Sequence, residues 1–393
     1  MQPLVLLAYY YPPEVTSGAL RPSRFARYLP EFGYEPHVVS AAAATPSEWR
    51  FRAGAKLLEL AGRAARRWSD RFAWAMPALL RAEEVVERTG ARVVFSTAPP
   101  FSTHLAALWL KQRRGVKWIA DFRDPLCGTV FRSGRLGGLA DRRLQAAIFR
   151  NADRLIANTQ DLAEMWSREE PELSRRVSVI WNGFDPLETF PGDAPPAAGP
   201  HRMSHVGTLY GPRHPGRLLD SLSRLTAAGQ LESARVRVDL IGPLEPSSPL
   251  LASPSFSRLR SMGMVALTDR LISRTEALSE SAHSHSLLLI DLTGTSRGVQ
   301  VPAKLFDYVR LRRPILALTT EGSPTDRILS RCGLRHSAIY TSDSDAAVDR
   351  KVLAFLESSS PAGEASPWFE ETFNVREQTR RLAGLLDEAL TGG

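Results

Sequence analysis

The stretch SLLLIDLTGTSRGVQVPAKLFDYVRLRRPILAL, Ser286 to Leu318, decides the fold. Leu287 to Ile290 is a wholly apolar run, long enough for a parallel strand buried on both faces. A polar loop with a glycine follows, Asp291 to Gln300, and Pro302 stands where a helix would begin. Ala303 to Leu311 is predicted as that helix, and Pro314 opens a second apolar run, Ile315 to Leu318. The stretch is thus a strand, a helix and a strand. Sheets built from such units bind ligands beyond the carboxyl ends of their strands. Lys304, Asp307 and Tyr308 stand at i, i+3 and i+4 and share one helix face. A cation at a helix start beside loop amides suits an anion, and a carboxylate one turn on suits a sugar hydroxyl. The same spacing also suits an ordinary surface ion pair, and spacing alone does not choose.

Working outward, the same alternation recurs along the 393 residues, enough for two domains. Strands expected at Leu4 to Ala8, His37 to Ser40, Ala91 to Ser96, Val116 to Ala120, Asn151 to Asn158 and Val177 to Ile180 alternate with helical patterns. Glu31-Phe32-Gly33 closes the first helix with a glycine stop, and Thr159 caps the helix that begins at Gln160. The segment FPGDAPPAAGP, Phe190 to Pro200, has linker composition. Beyond it lie a strand, a glycine loop and a helix in MSHVGTLYGPRHPGRLLDSLSRL, and a further strand at Val236 to Ile241. No GxGxxG follows the first strand, so the dinucleotide fingerprint is missing.

Charge is uneven. Residues 1–190 hold 27 Lys and Arg against 20 Asp and Glu, while the remainder is nearly neutral, within a net charge of +8. Much of the excess lies in residues 49–81, WRFRAGAKLLELAGRAARRWSDRFAWAMPALLR, with eight basic and two acidic side chains. A basic amphipathic stretch with Trp68 suits an anionic lipid surface; it equally suits a helix packed on its own domain with solvated arginines. No nucleic-acid motif accompanies the charge, and no nucleic acid partner is expected. Cys127 and Cys332 are far apart and form no metal or redox motif. No cationic region precedes Leu4 to Tyr11, and no run of 18 apolar residues occurs. A cytoplasmic protein, able to lie at the inner face of a membrane, is therefore expected.

Five stretches carry a resemblance. VPAKLFDY followed by RPILAL, YYPPE with Gly18 and the arginines after it, DFRDP, NGFD, and VGTLYGPRHP occur in the order found in retaining glycosyltransferases of the GT-B fold, family four, which the chain resembles nearly throughout. The resemblance implies an α/β protein of two Rossmann-like domains facing a central cleft. Residues 1–190 would form the acceptor side, 191–200 the linker, 201–367 the nucleotide-sugar domain, and 368–393 a terminal helix that returns to the first domain. It implies a metal-independent hexosyltransferase that moves a sugar from a nucleotide-diphosphate sugar to an acceptor hydroxyl, with retention, and needs no cofactor. The acceptor would be a polysaccharide, a lipid-linked sugar or a natural product.

By the same resemblance, Gly207, Gly211, Arg213, Lys304 and Asp307 hold the donor, with Asp307 on the ribose and Arg213 and Lys304 on the diphosphate. Gly18, Arg21, His104 and Asp121 line the acceptor side or its phosphate loop, and Asp124 joins Arg213 and Lys304 as catalytic. His104, a lone histidine at a helix start, can equally be structural. The sequence departs from the family at four places. Val299 stands where many relatives have a first Glu, Asp307 is one methylene shorter than the usual Glu, Arg123-Asp124 replaces a His-Asp pair, and Leu311-Arg312 stands at the small-residue turn before Arg313-Pro314, so a glycine C-cap is lost there. A GT-B protein that binds without catalysing is the alternative these departures leave open. Asp343-Ser344-Asp345 matches a metal-binding DxD pattern, but its place before a helical run marks it as a helix cap.

Overall fold

The structure, a computed structural model, describes residues 1–14, 16–41, 73–127, 135–190, 199–211, 213–291 and 298–392, with only the backbone of 135–137. The chain divides into two compact units, Met1–Asp185 with Val375–Gly393, and Pro186–Asn374. Most of the basic stretch and of the expected linker lie outside the described residues, as does much of the loop after Ile290.

The first unit is built on a sheet of six parallel strands, β1 (Gln2–Ala8), β2 (Tyr34–Val39), β3 (Val93–Ala98), β4 (Lys117–Phe122), β5 (Arg154–Ala157) and β6 (Val177–Val179), in the order β2-β1-β3-β4-β5-β6. Leu4, Val5, Leu6 and Leu7 of β1 are all fully buried, which is why that run shows no polar alternation. Helix α1 (Ser17–Tyr28) passes into a 3-10 turn that Gly33 ends at φ 86°. One face of the sheet packs Phe25 and Leu29 against Leu382 and Leu386 of the last helix, α13 (Val375–Thr391). Tyr34 Oη donates to Asp387 at 2.5 Å and Trp181 N to Gln378 Oε1 at 3.1 Å, fixing that helix in place.

The second unit has six parallel strands in the order β12-β11-β10-β7-β8-β9, with β7 (His201–Val206), β8 (Val236–Ile241), β9 (Val265–Thr268), β10 (Ser286–Ile290), β11 (Ile315–Thr319) and β12 (His336–Tyr340). The strand order reverses between β7 and β10. These two pair only at Ser286–Met203 and Leu287–Ser204, so the sheet parts toward its carboxyl edge. Ligands bind at such a crevice. The helix foreseen at Ala303 to Leu311 spans Lys304–Arg310 and is called α9 by its place in the chain.

Boundaries shift where side chains decide them. Glu188 and Phe190 belong to the second unit, where they meet Arg274 and Arg310. The expected single terminal helix is two: Pro367–Phe373 stays with the second unit because Phe369 and Phe373 stack on Phe306, and only Val375 onward joins the first. At the DxD pattern, Ser344 rather than an acid caps the helix, accepting from Ala347 N, while Asp343 binds Lys351 at 2.7 Å.

Two glycines shape the carboxyl edge of β7 and β8. Gly207 and Gly242 sit at φ 134° and 133°, and a Cβ on Gly242 would lie 2.7 Å from the Gly207 carbonyl. Backbone on both sides cannot yield. Gly242→Ala is expected to lower stability by about 1–3 kcal/mol, combining backbone strain with the clash. Urea unfolding checks this, and an unchanged midpoint would contradict the close approach.

Candidate active site

At the switch point of the second unit, β7 delivers His205, Val206 and Gly207, and α9 delivers Lys304 and Tyr308. Lys304 Nζ donates to the Val206 carbonyl at 2.8 Å and stands 3.0 Å from His205 Nε2. Gly207 makes room for this, since a Cβ there would come within 2.5 Å of the Lys304 amine. Tyr308 Oη accepts from Val206 N at 3.2 Å, so α9 grips the end of β7 at two points one turn apart. Gly211, at φ 48°, donates its N–H to Glu245 at 3.0 Å and shapes the loop that leads to Arg213. The Arg213 guanidinium lies over the Tyr210 ring at 5.1 Å, and its Nε is buried without a partner among the described residues.

Burial pushes the Lys304 amine well below its ordinary pKa, and the neighbouring positive charge of Arg213 pushes it further; Asp307 offsets part of this. The cause of that weak offset is visible. Asp307 is held by Arg274, which donates to its two oxygens at 3.0 and 2.8 Å and also binds Glu188. Burial opposes the charge on Arg274, yet Glu188 and Asp307 overcome it and hold that pKa up. The carboxylate expected on a ribose hydroxyl is therefore already in a salt bridge, keeping only spare lone pairs for a ligand. Val299, at the place of the first Glu in relatives, is buried.

In the first unit the expected acceptor-side residues separate. Arg21 is buried and spends its guanidinium on protein groups. It donates to both oxygens of Asp121 at 2.9 and 2.7 Å, to the Ile180 and Trp181 carbonyls, and to Asn182. Asp121 is fully buried and also accepts from Thr97 Oγ1 at 2.6 Å. This pair is a strut between α1, β4 and the NGFD segment. Farther along α1, Arg24 donates to the Gly183 carbonyl at 2.7 Å, and Tyr28 to Asp185 at 2.6 Å.

His104 is fully buried, its ring 4.6 Å from that of Phe122, and its Nδ1 is paired with Ser96 at 2.8 Å. Burial, helped by Arg123, pushes its pKa down to about 3, so it is a neutral core histidine. Its expected place on the acceptor side is thereby corrected: one ring nitrogen and both faces are committed to the interior.

Gly18 and Asp124 do stand at the carboxyl edge. Arg123, noted in the sequence only as a departure from the family's His-Asp pair, organises it by donating to the Gly18 carbonyl at 2.5 Å and to the carbonyls of Ala98 and Pro99. Burial pushes the Arg123 pKa down, and the charges of Asp124 and Asp121 oppose that. A Cβ on Gly18 would meet the Tyr10 ring at 2.8 Å, so this glycine is needed for the close fit of loop and helix. Asp124 is half-buried beside Arg123.

Residues 23–187 match the family model of Glycosyltransferase Family 4. HepE of Anabaena, solved in complex with UDP and glucose, is similar in fold at a TM-score of 0.66 and 11% identity, over 99% of this chain and 100% of its own. Sucrose-phosphate synthase of Thermosynechococcus elongatus gives 0.59 at 13% identity, over 100% and 98%. UDP-GlcNAc 2-epimerase of Methanocaldococcus jannaschii gives 0.54 at 12%, over 98% and 99%. No curated protein sequence matches the chain. At these identities the likeness establishes the GT-B fold, and the epimerase shows that one fold hosts more than one reaction.

The Arg21–Asp121 strut is testable. Arg21→Met leaves a buried, unpaired carboxylate and is expected to cost about 3–5 kcal/mol. Denaturant unfolding reads this, and a loss under about 1 kcal/mol, the range of exposed pairs, would assign the pair to solvent.

Proposed function

We propose that the chain is a glycosyltransferase of the family 4 type, whose model its residues 23–187 match, on the GT-B fold, and that it transfers a sugar, with retention and without a metal, from a nucleotide-diphosphate sugar to an acceptor hydroxyl. One observation carries the proposal. Lys304 and Arg213 stand together at the carboxyl end of β7, close enough for Arg213 to depress the Lys304 amine, and Asp307, the carboxylate that acts on Lys304, is engaged by Arg274. A diphosphate would give this pair of cations a counter-anion.

The chemistry follows from charge. Breaking the bond between the anomeric carbon and the β-phosphate oxygen leaves negative charge on that oxygen. Lys304 and Arg213 are cations fixed before the reaction starts, so they would stabilise the departing diphosphate more than the bound donor. In this reading they do what a divalent cation does elsewhere. Uridine is the base to try first, because HepE is solved with UDP and with UDP-glucose. The Gly18–Arg123–Asp124 edge of the first unit is the proposed acceptor side, with Asp124 as its proposed catalytic acid.

A thermal-shift series with UDP, GDP and dTDP tests the donor site. A nucleotide at a hundred times its Kd is expected to add about 2.7 kcal/mol of stability, and Lys304→Met and Arg213→Met are each expected to abolish that shift. Absence of a response to every nucleotide would overturn the reading. Binding without transfer to any acceptor would favour a binding module instead.

The basic residues 49–81 support an acceptor at an anionic membrane surface. Co-sedimentation is expected with phosphatidylcholine vesicles that contain phosphatidylglycerol, and not with neutral ones. It should be lost at about 1 M salt, where the screening length is about 3 Å. Equal binding to both vesicle types would remove the membrane from the proposal.

A further inference from the structure

His205 belongs to none of the motif positions, yet it is the side chain nearest the Lys304 amine. It is fully buried on β7, next to the gap between β7 and β10. Its Nδ1 is 2.9 Å from the Leu288 carbonyl on β10. A carbonyl only accepts, so Nδ1 carries the ring hydrogen and Nε2 presents a lone pair. That lone pair lies 3.0 Å from Lys304 Nζ. An ammonium has three hydrogens on a flexible four-carbon stem. Here the Val206 carbonyl and His205 Nε2 hold two of them, and the geometry leaves one.

We propose that His205 is a positioning residue of the donor site, holding one hydrogen of Lys304 so that the third is aimed at the diphosphate of the nucleotide. The inference rests on the reading of Lys304 as a diphosphate ligand. Leu288 fixes the tautomer, the tautomer fixes the acceptor, and the acceptor fixes the amine across the parted strands. Without it, a long side chain would have one anchor and would lose more freedom on meeting its ligand.

A consequence concerns protons. The charged and titratable groups around the amine are Asp307 on its own helix, already bound by Arg274 from helix Arg274–Ala282, Arg213 on the loop after β7, and His205 itself, with Tyr308 behind. Burial and Arg213 depress the amine, and burial together with the charges of Lys304 and Arg213 depresses the His205 ring, which stays neutral. Two negative charges arriving on the diphosphate raise the Lys304 pKa again. Nucleotide binding therefore takes up a proton between the depressed value of the free protein and the raised value of the complex. Affinity is full below that value and weakens as pH rises through it.

Isothermal titration of the full chain with UDP, in Pipes and in Tris across a pH series, tests this. Wild type is expected to take up protons on binding. His205→Phe, which removes the acceptor, is expected to bind UDP about tenfold more weakly, the scale of a hydrogen bond to a charged group. Its loss of affinity with pH should begin at lower pH, since the ammonium has lost a partner. His205→Gln, whose amide oxygen can reach the place of Nε2, is expected to restore most of both; His205→Met carries the same expectation as His205→Phe should the latter not fold. Wild-type affinity and pH profile in His205→Phe would overturn the proposal. Equal weakening in the Phe and Gln variants with an unmoved pH profile would also overturn it, because that pattern marks a packing role. No UDP binding by wild type overturns the donor-site reading as well, which separates the two failures.

Discussion

The constraint on which the second unit turns is the place of one amine. Lys304 starts a short helix whose face also carries Tyr308, and both residues reach the end of β7, at the Val206 carbonyl and the Val206 N–H. The contact is possible only because Gly207 has no side chain, and Gly207 is itself pressed against Gly242. Remove either glycine's freedom and the strand ends must separate. The parting of β7 and β10, the buried histidine between them and the cationic rim formed with Arg213 all follow from that arrangement. It holds the amine in a place that water cannot easily solvate, and burial accordingly pushes its pKa down.

The first unit uses its charged residues differently. Arg21, Arg24 and Arg27 recur at helical spacing on α1. In the structure Arg21 and Arg24 reach inward and hold the Ile180, Trp181 and Gly183 carbonyls, while Arg27 is exposed and binds Asp185. A planar guanidinium with five donors suits this work, because one side chain can satisfy several backbone carbonyls that have no strand partner. Arg123 does the same for the loops after β1 and β3, where it gathers Gly18, Ala98 and Pro99. The charge of Arg21, Arg24 and Arg123 is thus largely consumed by the fold.

The departures from the family pattern also find a physical setting. A shorter acid at 307 comes with an arginine at 274 that occupies both of its oxygens and bridges to Glu188. A turn without glycine comes with Arg312 at φ 53°, the one non-glycine residue at positive φ among those described. Arg312 keeps this strained conformation with a side chain that reaches Glu364 at 3.2 Å.

Much was legible from residues alone. Apolar runs of four to six residues between helical patterns sufficed for parallel strands, because a strand buried on both faces has no polar alternation to hide it. Glycine stops, the Thr159 cap and the strand–helix–strand unit around Lys304 were legible for the same reason: they depend on neighbours within one turn. What the sequence could not decide is which charged residue meets which. Arg21 meets Asp121, Arg274 meets Asp307, and His205 meets Lys304 across long stretches of chain, and nothing local distinguishes a guanidinium that faces water from one that binds a buried carboxylate. The sequence offered Lys304 and Arg213 as ligands and also offered Asp121 and, with a structural role as its alternative, His104, both of which packing turned inward. The fold is set by short-range pattern and could be read. The site is set by the three-dimensional meeting of distant side chains in a medium of low polarity, and only the tertiary structure decided it.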